Sequence, residues 1–166
     1  MNESEVKYGQ EHGLNLIKIS KKLIENQNLC KLLVNTDLDP TNIKLHPDLK
    51  DNLKLLHKNI KIVPLIDSQE QTTQSKIVIL FDDGSIEDNK DNEIISFTIV
   101  VYCPFDEWLI AGDTIRPFAI MSEIRKSIQD KRINGLGEIR YKGFSLSTLT
   151  EEMGSYLMRF ELNAFS

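Results

Sequence analysis

An acidic stretch is the clearest candidate for chemistry in this sequence. Six carboxylates fall between positions 82 and 93, namely Asp82, Asp83, Glu87, Asp88, Asp91 and Glu93. Clustered carboxylate oxygens are the ligands that Ca²⁺ prefers. Counted from Asp82, however, Gly84 and Ile86 occupy two positions where a calcium loop needs oxygen-bearing side chains. The pattern therefore favours a mobile hairpin loop that faces solvent or a partner, without a bound metal.

The histidines and cysteines do not form a recognisable site. His12, His46 and His57 are scattered along the chain, and none has the glutamate-flanked helical spacing of a catalytic zinc site. Cys30 and Cys103 lie in apolar segments, without a basic setting that would favour the thiolate. We expect both thiols to be reduced and buried, and we expect no cofactor and no metal.

The segment after Cys103 contains adjacent acids beside an aromatic residue, Asp106, Glu107 and Trp108. Loops often carry function, and a carboxylate pair next to a ring could form part of an active site. Two neighbouring acids alone are weak support for catalysis. We instead expect Trp108, together with Arg116, to lie at a subunit interface.

Composition limits the class of protein. The chain has 166 residues, enough for one ordinary domain, and its 20 basic and 25 acidic residues give a net charge of −5. This balance argues against tight binding to nucleic acid, because such binding rests on neutralising phosphates. No apolar run approaches the roughly 18 residues of a membrane span, and the first residues lack a secretory pattern. We expect the chain to be made and kept in a cytoplasm, or assembled there into something larger.

Three stretches predict the main strands of a sheet. Residues 97–103 are apolar on both faces and rich in β-branched and aromatic side chains, which predicts a strand inside the sheet and covered on both sides. Residues 137–147 and 154–162 follow later. Within residues 137–147 the apolar side chains switch from odd-numbered to even-numbered positions. A bulge at Gly143 would return them to one face of the strand.

One helix is strongly indicated between these strands. Isoleucines repeat at four-residue spacing over residues 116–129, at Ile120, Ile124 and Ile128. Asp113 or Thr114 is the expected N-cap, and Pro117 suits the first turn because it loses no intrahelical hydrogen bond there. We expect this helix to cover one face of the sheet.

The first half of the chain has weaker patterns. An amphipathic helix is predicted from Leu14, and residues 29–34 either continue it or form a short buried turn. Residues 47–57 have leucines at helical spacing, which favours a short helix, and residues 76–81 are a short strand candidate. Residues 60–66 are predicted to be extended, and because Pro64 lacks an amide donor they lie at a sheet edge or are not regularly paired.

These elements predict a single α+β domain over residues 13–166, preceded by a flexible arm over residues 1–12. The expected sheet is mixed or mostly antiparallel and is flanked by two main helices.

The order of elements and several local phrases resemble the neck and tail-completion proteins of tailed bacteriophages. The similar stretches are the entry helix running into residues 28–40, the Ile60–Pro64 segment, Trp108 followed by Arg116-Pro117-Phe118, and the closing strands over 137–162. The resemblance implies a tail terminator or head-to-tail connector that closes into a hexameric or dodecameric ring. It implies a non-enzymatic virion protein that contacts neighbouring neck, portal or tail proteins, with no membrane, while DNA passes without tight binding.

Two other interpretations remain open. The first is a small non-enzymatic binding module, such as an assembly chaperone or regulator, that uses a groove beside Trp108 and Arg116. The second is a metal-dependent hydrolase that uses Asp82, Asp83 and Asp106. Oligomer size separates the ring from the binding module, and metal binding would be needed to support the hydrolase.

Overall fold

The computed structural model describes residues 3–35, 46–62, 74–86, 92–110, 114–133 and 136–165. Its helices are α1 (Glu3–Ile24), α2 (Gln27–Val34) and α3 (Arg116–Ile128). Its strands are β1 (Ile60–Lys61), β2 (Lys76–Ile86), β3 (Asn92–Pro104), β4 (Ile139–Leu149) and β5 (Met153–Phe165). The fold is a single α+β domain, as the sequence predicts.

The strands form one five-stranded sheet in the order β1-β2-β3-β5-β4. Only β1 and β2 pair in parallel, and the three other neighbouring pairs are antiparallel. The predicted interior position of residues 97–103 is confirmed, because β3 lies in the middle of the sheet. Thr98 and Val100 on one face of β3 are buried, as are Ile99 and Val101 on the other.

The main core lies between the helices and one face of the sheet. Ile120, Ile124 and Ile128 of α3 join a buried cluster with Phe97 and Phe160 of the central strands. The rings of Phe97 and Phe160 stack with centroids 5.1 Å apart. The predicted isoleucine stripe therefore faces the sheet, and α3 covers the sheet as expected. Its N-cap is Ile115, which makes no side-chain capping bond, so Thr114 is not the cap; Asp113 lies outside the described residues.

The first helix is longer than the apolar pattern indicates. It begins at Glu3 instead of Leu14, so residues 3–12 are helical. Good helix formers such as glutamate, lysine and glutamine allow a helix without an apolar stripe. The expected division between an arm (1–12) and a domain (13–166) stays a prediction.

A separate helix follows the first one. Residues 29–34 belong to α2, whose N-cap is Asn26: its Oδ1 accepts a hydrogen bond of 3.1 Å from the backbone N–H of Leu29. The Asn26 amide also donates to Ser127 Oγ at 2.9 Å, which ties the helix junction to α3. Among the described residues, α1 and α3 are thus the two main helices that the sequence predicts, and α2 is a third, shorter one.

The helix expected over residues 47–57 is largely absent. Within it, the described structure contains one 3-10 turn, Asn52–Leu55. Leu53 is 64% exposed, so the leucine spacing does not form a stripe against the core. The Asn52 side chain instead donates to the carbonyl oxygen of Ile24 at 2.8 Å, at the end of α1.

The edge position of residues 60–66 is confirmed for Ile60–Lys61, which form the short edge strand β1. Pro64 lies outside the described residues. The bulge at Gly143 is also confirmed. The register with β5 shifts between Tyr141 and Gly143, and Gly143 has a φ of 125°, a conformation that favours glycine.

The largest difference concerns the acidic stretch. We expected a loop from Asp82 to Glu93, but β2 continues to Ile86 and β3 begins at Asn92, with Ile86 paired to Glu93. A local sequence pattern underestimates these strands because pairing with β3 outweighs the low strand propensity of aspartate. Glu87, Asp88 and Asp91 lie outside the described residues.

Candidate functional site

A turn after β3 holds Trp108 in place. The turn Phe105–Glu107 follows Pro104, and its first backbone N–H donates to the carbonyl oxygen of Glu152 at 2.9 Å. The indole N–H of Trp108 donates to the carbonyl oxygen of Cys103 at 3.0 Å. Trp108 is half-buried in contacts within its own chain.

Gly154 makes room for this ring. A Cβ atom at position 154 would lie 2.4 Å from Cζ2 of Trp108, far inside van der Waals contact. The Trp108 ring therefore packs directly on the backbone at the start of β5. Its centroid is 5.1 Å from that of Phe105 and 6.0 Å from that of Tyr156.

Arg116 lies inside the domain and not at its surface. Its side chain is 1% exposed. Nη1 donates to the carbonyl oxygens of Leu32 and Asn35 at 2.8 and 2.7 Å, and Nε donates to the carbonyl oxygen of Glu107 at 2.9 Å. Arg116 thus joins the end of α2 to the turn after β3. Its burial corrects the expectation that it contributes to a subunit interface or to a groove beside Trp108.

The two adjacent acids of this turn, Asp106 and Glu107, lie in different environments. Glu107 Oε2 accepts a hydrogen bond of 3.1 Å from Ser75 Oγ. Burial raises the pKa of the Glu107 carboxyl, while the Ser75 hydrogen bond and the charge of Arg116 partly oppose that rise. Asp106 is exposed. Glu107 therefore links the turn to Ser75, whereas Asp106 lies in solvent.

The three acids of the hydrolase interpretation do not converge. Thr98 donates through Oγ1 to Asp82 Oδ2, which places Asp82 beside the middle of β3. Asp106 follows the end of that strand at Pro104, so the two acids are separated by roughly 20 Å of strand. Within the described ranges, no group of three or more His, Cys, Asp or Glu side chains is placed to hold a metal ion.

Both thiols are buried and free, as the sequence predicts. Burial raises the pKa of Cys30 to about 11 and that of Cys103 to about 12. Each thiol is therefore protonated near neutral pH, which is unfavourable for a nucleophile.

The most distinctive surface lies on the helix side of the sheet, near β4. Three rings from three elements, Phe118 of α3, Phe144 of β4 and Tyr156 of β5, have pairwise centroid distances of 5.0–6.0 Å. Tyr156 connects them to Trp108. Cα pairing places Leu146 opposite Tyr156 and Leu149 opposite Gly154, next to these rings. We call this set the aromatic surface: Trp108, Phe118, Phe144, Leu146, Leu149 and Tyr156.

Much of the aromatic surface is open to solvent. The exposed fractions are 40% for Phe118, 49% for Phe144, 51% for Leu146 and 59% for Leu149. A cluster of large apolar side chains that remains exposed is typical of an interaction site. Exposed aromatic side chains also supply much of the binding energy at protein interfaces.

A groove of about 430 Å³ extends this surface between α3 and β4. Phe118, Arg125, Tyr141 and Phe144 contribute to its lining. The guanidinium carbon of Arg125 lies 4.3 Å from the centroid of the Tyr141 ring, a cation–π contact. Neither Trp108 nor Arg116 lines this groove, so it is not the groove that the sequence analysis places beside those two residues.

Sequence reasoning missed most of the aromatic surface. It identified Trp108, but no linear motif connects that residue to Phe118, Phe144 and Tyr156. Two signals were available. Phe118 is apolar and lies outside the isoleucine stripe of α3, and Phe144 and Leu146 alternate on a strand whose other half carries Arg140 and Lys142.

The fold and this surface define a class: a single α+β domain with a mixed sheet and an exposed aromatic surface. A family model, YomW, matches residues 26–162, which include β1 to β4 and most of β5. The chain belongs to the YomW family, and this membership indicates a phage-related protein. No curated protein matches the chain. Among the helices that the structure describes, none is long and apolar enough to cross a membrane.

Proposed function

We propose that this protein is a structural subunit of a phage particle and closes into a ring in the head–tail connection through which the genome passes. The aromatic surface carries this proposal. A protein with a phage-related family and a large exposed apolar cluster is well suited to function within an assembly.

The position of the aromatic surface supports a contact between unlike surfaces. It lies near β4, at one edge of the sheet, whereas β1 and β2 lie at the other. A ring made of identical subunits needs two different, complementary surfaces on each subunit. An aromatic surface at a single edge can serve as one of the two.

The charge of the chain supports passage of DNA without tight binding. The net charge of −5 gives the ring an acidic balance, which disfavours retention of phosphates. Asp82 and Asp83 are exposed on β2. We place them toward a channel or a neighbouring subunit, together with Glu87, Asp88, Asp91 and Glu93.

The test is the mass of the purified protein by light scattering after size exclusion, over a range of concentrations, with particles viewed by negative stain. We expect a discrete species of six or twelve subunits and ring-shaped particles. A chain that remains monomeric up to millimolar concentration would contradict the proposal and favour a binding module.

A pair of variants links the assembly to the aromatic surface. Phe144→Ser, at a half-exposed position, should preserve folding but weaken assembly, because an aromatic anchor at an interface commonly contributes 2 kcal/mol or more, about a 30-fold change in affinity. Leu53→Ser is the matched control, since Leu53 is also exposed but belongs to the turn Asn52–Leu55. Equal assembly of the two variants would show that the aromatic surface is not needed for ring formation.

A further inference from the structure

Arg125, in the groove between α3 and β4, has no acidic partner among the described residues. Its guanidinium carbon lies 4.3 Å from the centroid of the Tyr141 ring, and its Nε donates to Gln129 Oε1 at 2.6 Å. A cation–π contact orients a guanidinium without neutralising its charge. Both Nη atoms therefore remain available for a carboxylate, which a guanidinium binds through two parallel hydrogen bonds.

The positive charge continues along α3 into a second cavity. Lys126 lines the groove and also this cavity of about 280 Å³, which lies between the ends of α1 and α3. Lys22 and Lys131 line the second cavity as well. Lys22 pairs with Glu25 and Lys126 pairs with Glu123, but solvent-accessible ion pairs of this kind are weak. An acidic ligand can therefore compete for these lysines.

The opposite end of the groove is apolar. Phe118 and Phe144 line it and make an edge-to-face contact with ring centroids 5.8 Å apart. Both rings are exposed. From Phe118 to Lys126 the lining extends roughly 12 Å along α3, since a helix rises about 1.5 Å per residue. The groove thus has an apolar end and a cationic end about two helical turns apart.

An extended protein segment fits this shape. Small ligands bind in sites that enclose most of the ligand. This groove instead opens at Phe118 and Phe144 onto the aromatic surface, and it continues at Lys126 into the second cavity. An extended chain advances about 3.3 Å per residue, so about four residues span the distance from Phe118 to Lys126.

The charges favour an acidic segment over a nucleic acid. The groove lining contains two cations, Arg125 and Lys126, and one acid, Asp130. One or two carboxylates match this small positive charge. Nucleic acid carries a phosphate on every nucleotide and needs many cations for its affinity, and the net charge of −5 on this chain opposes its approach.

We propose that the groove between α3 and β4 binds an extended acidic segment of another protein. Arg125 holds a carboxylate of the segment, and a large apolar side chain nearby packs on Phe118 and Phe144. The apolar side chain supplies most of the affinity, and the carboxylate fixes the register. This inference goes beyond the proposed ring and does not depend on it, because residues of a single copy form the whole site. It leaves Trp108 and the leucines of the aromatic surface for a subunit contact.

The test is selection from a random peptide library displayed on yeast, with the full natural chain and with Arg125→Glu. We expect the natural chain to enrich peptides that carry an acidic residue within a few positions of a large apolar one. Arg125→Glu should enrich a basic residue in place of the acidic one, an exchange that misfolding cannot produce. Lys50→Glu is the control for net charge, since Lys50 is exposed and lines neither cavity, and it should retain the acidic preference.

Fluorescence anisotropy with the most enriched peptide measures the contribution of Arg125. Arg125→Lys should bind it about tenfold more weakly, because lysine keeps the charge but loses the paired hydrogen bonds, and Arg125→Glu about 100-fold more weakly. Absence of enrichment, or the same preference from the natural chain and Arg125→Glu, overturns the inference. Tighter binding of oligothymidine than of any selected peptide also overturns it and assigns the groove to nucleic acid.

Sedimentation velocity separates this inference from the proposed ring. Arg125→Glu should self-associate like the natural chain, because Arg125 is not part of the aromatic surface. Weaker self-association of this variant would make a second copy the occupant of the groove, which overturns the inference and leaves the ring standing. A natural chain that does not self-associate contradicts the ring, and the peptide selection still decides the groove.

Discussion

Replacing Arg116 with alanine tests how this fold is held together. The guanidinium is buried and donates to the carbonyl oxygens of Leu32, Asn35 and Glu107. Leu32 and Asn35 lie at the end of α2, where backbone carbonyl groups lack helical partners and a cation is favourable. Alanine would leave these buried oxygens without their donor.

The magnitude follows from the number of bonds. A hydrogen bond to a charged group contributes about 1.5–3 kcal/mol, and removal of three is partly offset because a charge no longer has to be desolvated. We expect Arg116→Ala to lower the free energy of unfolding by about 3–5 kcal/mol. With a urea dependence near 2 kcal/mol per molar, the midpoint would fall by roughly 1.5–2.5 M.

The assay is urea unfolding followed by tryptophan fluorescence and by far-UV circular dichroism. Trp108 is the only tryptophan in the chain, and its carbonyl oxygen accepts a 2.8 Å bond from the Arg116 backbone N–H, so it reports on this region. Arg125→Ala is the control, because Arg125 is exposed and its contact with Tyr141 contributes about 1 kcal/mol or less. A loss for Arg116→Ala as small as that of the control would refute the reasoning.

Three further predictions concern packing and the thiols. In thermal melts, Gly154→Ala should destabilise the fold by about 1–3 kcal/mol, because its Cβ would lie 2.4 Å from the Trp108 ring. Gly13→Ala in α1 is the control, since a Cβ there meets nothing within 4 Å, and it should be neutral or stabilising. Cys30 and Cys103 should resist a thiol reagent at pH 8 until the chain is unfolded; rapid labelling of the folded protein would contradict their burial. Folding raises the pKa of Cys30 from 9.0 to about 11 and that of Cys103 from 9.0 to about 12. The protonated thiols therefore contribute their full stability below about pH 9, and this contribution is lost as the pH rises through the folded-state pKa values. Urea midpoints measured across this pH range should fall accordingly.

The sequence predicts the fold well wherever the buried side chains follow a short periodic pattern. The apolar character of residues 97–103 on both faces placed β3 inside the sheet, and the isoleucines of α3 identified the side that packs on it. The parity change around Gly143 predicted the bulge, because one extra residue is the simplest way to keep alternating side chains on one face.

Patterns that depend on distant partners were harder to interpret. The acidic residues at positions 82 and 83 suggested a loop, yet pairing with β3 keeps them in a strand. The leucine spacing over residues 47–57 suggested a helix, yet Leu53 faces solvent and Asn52 bonds to the end of α1. In both places a tertiary contact outweighs local propensity.

The candidate site also combines residues that the sequence identified with contacts that it could not predict. The sequence singled out Trp108 and Arg116 as neighbours with a shared role, but the structure buries Arg116 against the end of α2 and leaves Trp108 at the margin of the aromatic surface. The carbonyl oxygen of Leu32 is 84 residues away from Arg116 along the chain. No spacing rule connects two groups so far apart.

The sequence by itself determined the central strand, the amphipathic helix α3, the buried thiols and the acidic balance of the chain. These properties follow from residue type and short-range periodicity, which act within a few residues. Only the tertiary structure decided which apolar side chains remain exposed and which of them meet in the aromatic surface. Those features depend on the order of strands in the sheet, and strand order is set by contacts between residues far apart in the chain.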